Sequence, residues 1–156
     1  MILDKLAEFC DATSVAAGAS TALVGNVMDL GSATRDLGNG QPVYLVINVD
    51  TEIITGGSAG TILFQLASDA QAAIATDASA TVHLTTATLV TDDAAANSDL
   101  LNAGATILVA ALPQGTTYER YLGILCTIGT TTVTAGKINA FLTADPTGWK
   151  AYADAI

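Results

Sequence analysis

His83 is the only histidine of the chain and stands inside TVHLTT, residues 81–86. An imidazole titrates near neutral pH and suits proton transfer. To act as a base it needs a nucleophile and an orienting carboxylate, and no spacing here proposes a Ser-His-Asp set. On an alternating strand His83 turns away from Val82 and Leu84, beside Thr81 and Thr85, the setting of a structural histidine. The second dense cluster is YERY, residues 118–121, within LPQGTTYERYLGI. On a strand, Tyr118 and Arg120 share one face and Glu119 and Tyr121 the other. Arg120 is one of only five Lys and Arg residues. Three roles are open to it: tied to an Asp of its own fold or stacked on a tyrosine, part of a subunit interface, or part of a catalytic cluster. No base or nucleophile is attached to it, so the first two roles lead.

Other candidate chemistry is thinner. TDDAAANSD, residues 91–99, offers Asp92, Asp93, Asn97 and Asp99. It lacks the alternating Asp-x-Asp-x-Asp-Gly order of a calcium loop and reads as a solvated loop. GGSAG at 56–60 and GNG at 38–40 have no following Lys-Ser/Thr and no helix N-terminus, so both read as turns. A glycosidase needs two acids about 5–9.5 Å apart, and glycan sites are rich in aromatics, which are 5% of this chain. Cys10 and Cys126 stand in no CxxC or metal-ligand spacing. Two buried thiols are expected, with a disulfide pinning the N-terminal segment to the body as the alternative. No catalytic, cofactor-binding or metal-ligating set is assembled, and a non-enzymatic protein without a cofactor is expected.

The elements that must hold these residues are drawn from 156 residues, the size of one domain. Hydrophobic residues are 51% and charged residues 13%, enough for a core and too few charges for a disordered chain. The net charge of −10 opposes binding to nucleic acid phosphates and to anionic membranes. It also keeps copies apart in solution. Charges interrupt MILDKLAEFCDATSV, so no secretory signal is expected. No apolar run reaches the roughly 20 residues that cross a bilayer.

Residues 3–9 place Leu3, Leu6, Ala7 and Phe9 near one side, as a short helix or a docking arm. Residues 11–40 are small and Gly-rich and read as loop. Val43–Val49 alternates, with Val43, Leu45, Ile47 and Val49 on one face and Tyr44, Val46 and Asn48 on the other. Further strands are expected at Glu52–Thr55, Thr61–Leu66, Thr81–Val90, Ala105–Leu112 and Arg120–Ile128. Leu122, Ile124, Cys126 and Ile128 share a face of the last of these. Val133–Gly136 reads as a turn, and Lys137–Leu142 as the closing strand. Residues 68–80 are Ala-rich, a loop or irregular edge with helix as the alternative. The tail around Trp149 and Tyr152 is short helical or extended. Short strands punctuated by Gly and Pro predict an all-β fold, a jelly-roll-like antiparallel sandwich or barrel with an N-terminal arm. Residues 1–40 would be arm and loops packing on a 41–156 body, one domain overall.

LPQGTTYERYLGILCTIGTTTVTAGKINAFLTAD resembles the C-terminal half of the capsid cement, or decoration, proteins of tailed bacteriophages, of the type found in a short-tailed Bordetella phage. The matching pieces are Leu112, Pro113 and Gly115; Arg120, Tyr121, Leu122 and Gly123; Thr134, Ala135 and Gly136; and Asp145. The LGNGQPVYLVINVDTE segment and the hydrophobic start are similar in outline, and residues 69–80 depart from the pattern as an insertion-like segment. The resemblance implies a virion protein, assembled in the host cytoplasm, that clamps neighbouring major capsid subunits on the shell surface as a dimer or trimer. The contact residues expected on that reading are Leu3, Leu6, Phe9, Tyr118, Arg120, Tyr121, Trp149 and Tyr152. A β-sandwich binding module, adhesin-like or carbohydrate-binding, is the competing expectation.

Overall fold

The computed structural model describes residues 4–31, 37, 40–55, 59–74, 79–91 and 98–147. Among them are nine strands: β1 (Glu8–Ser14), β2 (Ser20–Asp29), β3 (Tyr44–Thr55), β4 (Thr61–Asp69), β5 (Thr81–Thr85), β6 (Leu89–Val90), β7 (Thr106–Ala111), β8 (Tyr121–Gly129) and β9 (Val133–Thr143). Two short 3-10 turns, Lys5–Ala7 and Ser98–Leu101, are the only helical pieces described. One sheet has the order β1-β9-β3-β7 and the other β2-β8-β4-β5, with β6 continuing the β5 edge along β4. All pairings are antiparallel. First pairs with last, second with second-last, third with third-last and fourth with fifth, the nested winding of a jelly roll. The expected all-β sandwich is therefore the fold.

The inner faces of the two sheets form one core. Leu45, Ile47 and Val49 of β3 meet Ile62, Phe64 and Leu66 of β4, Leu122, Ile124 and Cys126 of β8, and Ile138 and Ala140 of β9. Alternation put these side chains on one face, and removing them from water is the main driving force for closing the sheets. On the outer face of the second sheet, Ile74 packs with Leu125 and Ala67, flanked by Leu23 and Val27. Gly123 makes this possible, because a Cβ there would lie 2.7 Å from the Ile74 Cδ1.

Several local expectations are corrected. Val43–Val49 and Glu52–Thr55, expected as separate strands, belong to one strand, β3, which runs on through Asp50 to Thr55. Residues 3–9 do not form one helix: after the Lys5–Ala7 turn the chain enters β1 at Glu8. Within the stretch read as loop over 11–40, residues 11–14 complete β1 and residues 20–29 form β2, edge strands of which β1 joins one sheet and β2 the other. Their residues are small and form strands because β9 and β8 offer them ladders, which overrides weak local propensity. Val133–Gly136 is the first part of β9, not a turn. Gly136 sits at φ +142, and a Cβ there would meet the Ile53 Cα at 2.9 Å, so the glycine serves a close strand approach. Thr81–Val90 is broken after Thr85: Thr86 turns its Oγ1 to accept from Phe64 N at 3.0 Å while its own N–H donates to Phe64 O at 2.9 Å. In the Ala-rich segment, β4 runs on to Asp69 and residues 70–73 are bends.

Candidate interaction surface

The register gathers several loops at one end of the sandwich. Glu8 pairs with Phe141, Tyr44 with both Thr143 and Ala111, and Tyr121 with both Asp29 and Asp69. The starts of β1, β3, β5 and β8 and the ends of β2, β4, β7 and β9 therefore share that end. The 112–120 connection crosses it from one sheet to the other.

YERY lies in this crossing, and its residues divide between inside and outside. Tyr118 is fully buried in the core. Its hydroxyl donates to the Pro113 carbonyl at 2.8 Å, closing the Pro-Gly turn onto the strand entry. Its ring lies 4.2 Å from the His83 ring, tilted by 39°. His83 Nε2 is 2.8 Å from Ser68 Oγ, and that oxygen also accepts from Glu119 N at 3.1 Å. The Ser68 hydroxyl and His83 Nε2 share one hydrogen bond in which either can be the donor, and burial pulls the His83 pKa below the usual 6.5.

A Ser-His contact of this length is the geometry of an activated nucleophile. Ser68, however, is completely buried, and its oxygen is held by a backbone N–H. The arrangement works as a strut that joins β4, β5 and the 112–120 crossing. Sequence spacing gave no sign of it, because strand register alone brings residues 68, 83 and 118 together. Asp69, also buried, braces the next loop: its Oδ1 accepts from Gln71 N at 3.0 Å and its Oδ2 from Ser79 Oγ at 3.2 Å.

Arg120 points outward. Its Nε donates to Asp29 Oδ1 at 2.9 Å and its Nη2 to Asp29 Oδ2 at 2.8 Å, and its guanidinium stands 4.8 Å from the centre of the Tyr121 ring. Both roles named first for it, an Asp of its own fold and an aromatic platform, are thus filled together. The bidentate guanidinium, with the Gly31 N–H, holds the Asp29 carboxyl down at about 2. This ordered pair leaves an Arg and the half-exposed Tyr121 fixed on the surface, types that carry binding energy at protein interfaces.

The eight expected contact residues fall into three groups. Leu6, Arg120 and Tyr121 lie at this end of the molecule; Leu6 is 82% exposed, on a turn capped by the Asp4 carboxylate and braced by the Lys5–Glu8 ion pair. Phe9 and Tyr118 are corrected: both are 0% exposed, spent in the core, and their side chains are not outer contacts of this fold. Leu3, Trp149 and Tyr152 lie outside the described residues. The two cysteines are free buried thiols on different sheets, as one of the two expectations had it. At the far end, Val15, Ala17, Leu23, Val24, Cys126 and Ile128 border a pocket of ≈ 80 Å³, well below the several hundred Å³ usual for small-molecule sites.

A family model described as Bbp16 matches residues 9–142, which spans the sandwich from β1 to β9. No curated protein matches the chain.

Proposed function

The chain belongs to the Bbp16 family, a bacteriophage protein family, and from that membership we propose that it is a non-enzymatic structural protein of the virion. It binds the outside of a phage capsid, clamps neighbouring major capsid subunits and stabilises the shell. The observation that carries this reading is the family match across the whole jelly roll. The partners are the major capsid protein and further copies of this chain. Leu6, Tyr121 and Arg120 make the end of the sandwich that carries them the proposed shell-facing surface. The acidic exterior opposes indiscriminate aggregation before assembly and complements basic ground on a shell.

The test mixes purified protein with bare shells of the phage that encodes it. The expected result is saturable co-sedimentation and a higher shell melting temperature, weakened by Leu6→Asp or Tyr121→Ala. Absence of binding to those shells would overturn the proposal, and a glycan screen would then address the binding-module alternative.

A further inference from the structure

A jelly roll leaves open edges, and here the four differ. The β1 edge carries Glu8 and Asp11 and shifts register twice. The β2 edge shifts register between Val24 and Met28, around Gly25 at φ +72, and ends at Asp29. The β5 edge stops after five residues, where Thr86 leaves the ladder. Bulges, charges and short strands are the usual protection of edges against pairing with another chain. The β7 edge has less of it: its one register shift, between Thr106 and Leu108, lies at its start. Its sequence TILVAA holds no charge and no proline, and Leu108–Ala111 runs opposite Ile47–Tyr44 without interruption.

The hydrogen-bond phase fixes which groups face out. Leu112 N donates to Val43 O at 2.8 Å. With strict alternation, Ala110 and Leu108 bond to β3, and Val109 and Ala111 direct their N–H and C=O groups away from it. Among the described residues no strand pairs with that side of β7. Val109 is 47% exposed, and Ala111 is exposed too. Across β3 from Val109 lies Val46, and beyond it Phe141, so apolar side chains continue inward from the edge on the same outer face.

We propose that the β7 edge is a self-pairing site, where β7 of a second copy adds antiparallel about a two-fold axis centred on Ala110. Charge selects this occupant. On a chain of net charge −10, contact between copies is opposed wherever acids face each other. An uncharged strand laid against itself avoids that repulsion. In this register Val109 faces Ala111 of the second copy, and Ala111 faces its Val109. Each pair exchanges two N–H···O bonds, and Ala110 meets its own counterpart across the axis with only methyl groups to accommodate. The two four-stranded sheets become one of eight strands. This contact forms between copies in solution and does not depend on the shell reading.

Light scattering of the full chain reads the mass directly. The expected wild-type mass is that of a dimer. Val109→Pro removes an outward N–H that β3 does not use and is expected to halve the mass while the circular dichroism spectrum stays that of the wild type. Val109→Lys does the same by charge repulsion and covers the case in which the proline variant fails to fold. Ala110→Cys is expected to form an interchain disulfide under mild oxidation, because the paired Cα atoms would stand about 4.5 Å apart. A monomeric wild type, a dimer that survives both Val109 substitutions, or an Ala110→Cys protein that stays uncrosslinked would each overturn the proposal. Shell binding by the Val109→Lys protein, scored separately, keeps this outcome distinct from failure of the capsid reading.

Discussion

Arg120 and Asp29 stand 91 residues apart in the chain and meet through two parallel hydrogen bonds of 2.9 and 2.8 Å. The pair staples the entry of β8 to the end of β2 and holds the guanidinium beside Tyr121. Both side chains are about half exposed, so solvent screens the attraction.

Arg120→Ala is therefore expected to lower the melting temperature only slightly. The Asp29 carboxyl sits at about 2 in the fold, below its ordinary 3.8. A depressed carboxylate contributes stability that is fully present above its unfolded value and fades as the pH falls through the folded one. The difference between wild type and Arg120→Ala should hold above pH 3.8 and shrink towards pH 2. Melting curves across that range check it; a constant difference would deny the pair its stabilising role.

Ser68→Ala removes the oxygen shared by His83 and the Glu119 N–H. Leaving buried polar partners unpaired costs about 1–3 kcal/mol, to be read from urea denaturation. The lowered pKa of His83 gives a second readout. The unfolded imidazole takes a proton before the folded one, so stability declines as the pH drops below 6.5 towards the lower folded value. His83→Gln should remove this part of the pH dependence.

The alternating strands of large residues were legible in the sequence: Val43–Val49, Ala105–Leu112 and Arg120–Ile128 all lie within or beside observed strands. Alternation of bulky side chains is a local signal, and burial on one face obeys it. The strands β1 and β2 were not legible. Their pattern is carried by Ala, Thr and Ser, with Phe9, Cys10 and Val24 the deeply buried exceptions, and pairing partners more than 90 residues away decide their conformation. The candidate surface was half legible. Composition singled out Arg120 and Tyr121, but nothing local distinguishes Tyr118, which closes a turn inside the core, from Tyr121 three residues on. The Ser68–His83 contact needs the register of β4 against β5, which no spacing rule supplies.

Gly25 is the tightest point between β1 and β2. It lies at φ +72, and a Cβ there would fall 2.3 Å from the Phe9 carbonyl oxygen. Gly25→Ala meets about 1–2 kcal/mol of left-handed strain and a backbone clash besides. A loss above about 2 kcal/mol is expected, with a lower denaturant midpoint and an unchanged slope.

Thr130, in the turn between β8 and β9, adopts φ +69, a region unfavourable for a β-branched residue. Thr130→Gly relieves that strain at the expense of a more flexible unfolded chain. A net gain of about 0.5–1 kcal/mol is expected. A melting temperature at or below that of the wild type would contradict it.

Burial pushes the thiols of Cys10 and Cys126 up to about 12. Neither should react with Ellman's reagent at pH 8 in the native protein, and both should react promptly in denaturant. Fast native labelling of either would mean that the sandwich opens locally.

The last described strand, β9, is not at an edge. It is inserted between β1, the first strand, and β3. As a ribosome extrudes this chain, β1 emerges early with no sheet to join, and β3 keeps one long side bare until residues 133–143 arrive. The first sheet is therefore zipped from both sides by a single late event. Nascent chains ending before β9 should be protease-sensitive throughout, and the finished sandwich should appear in one step.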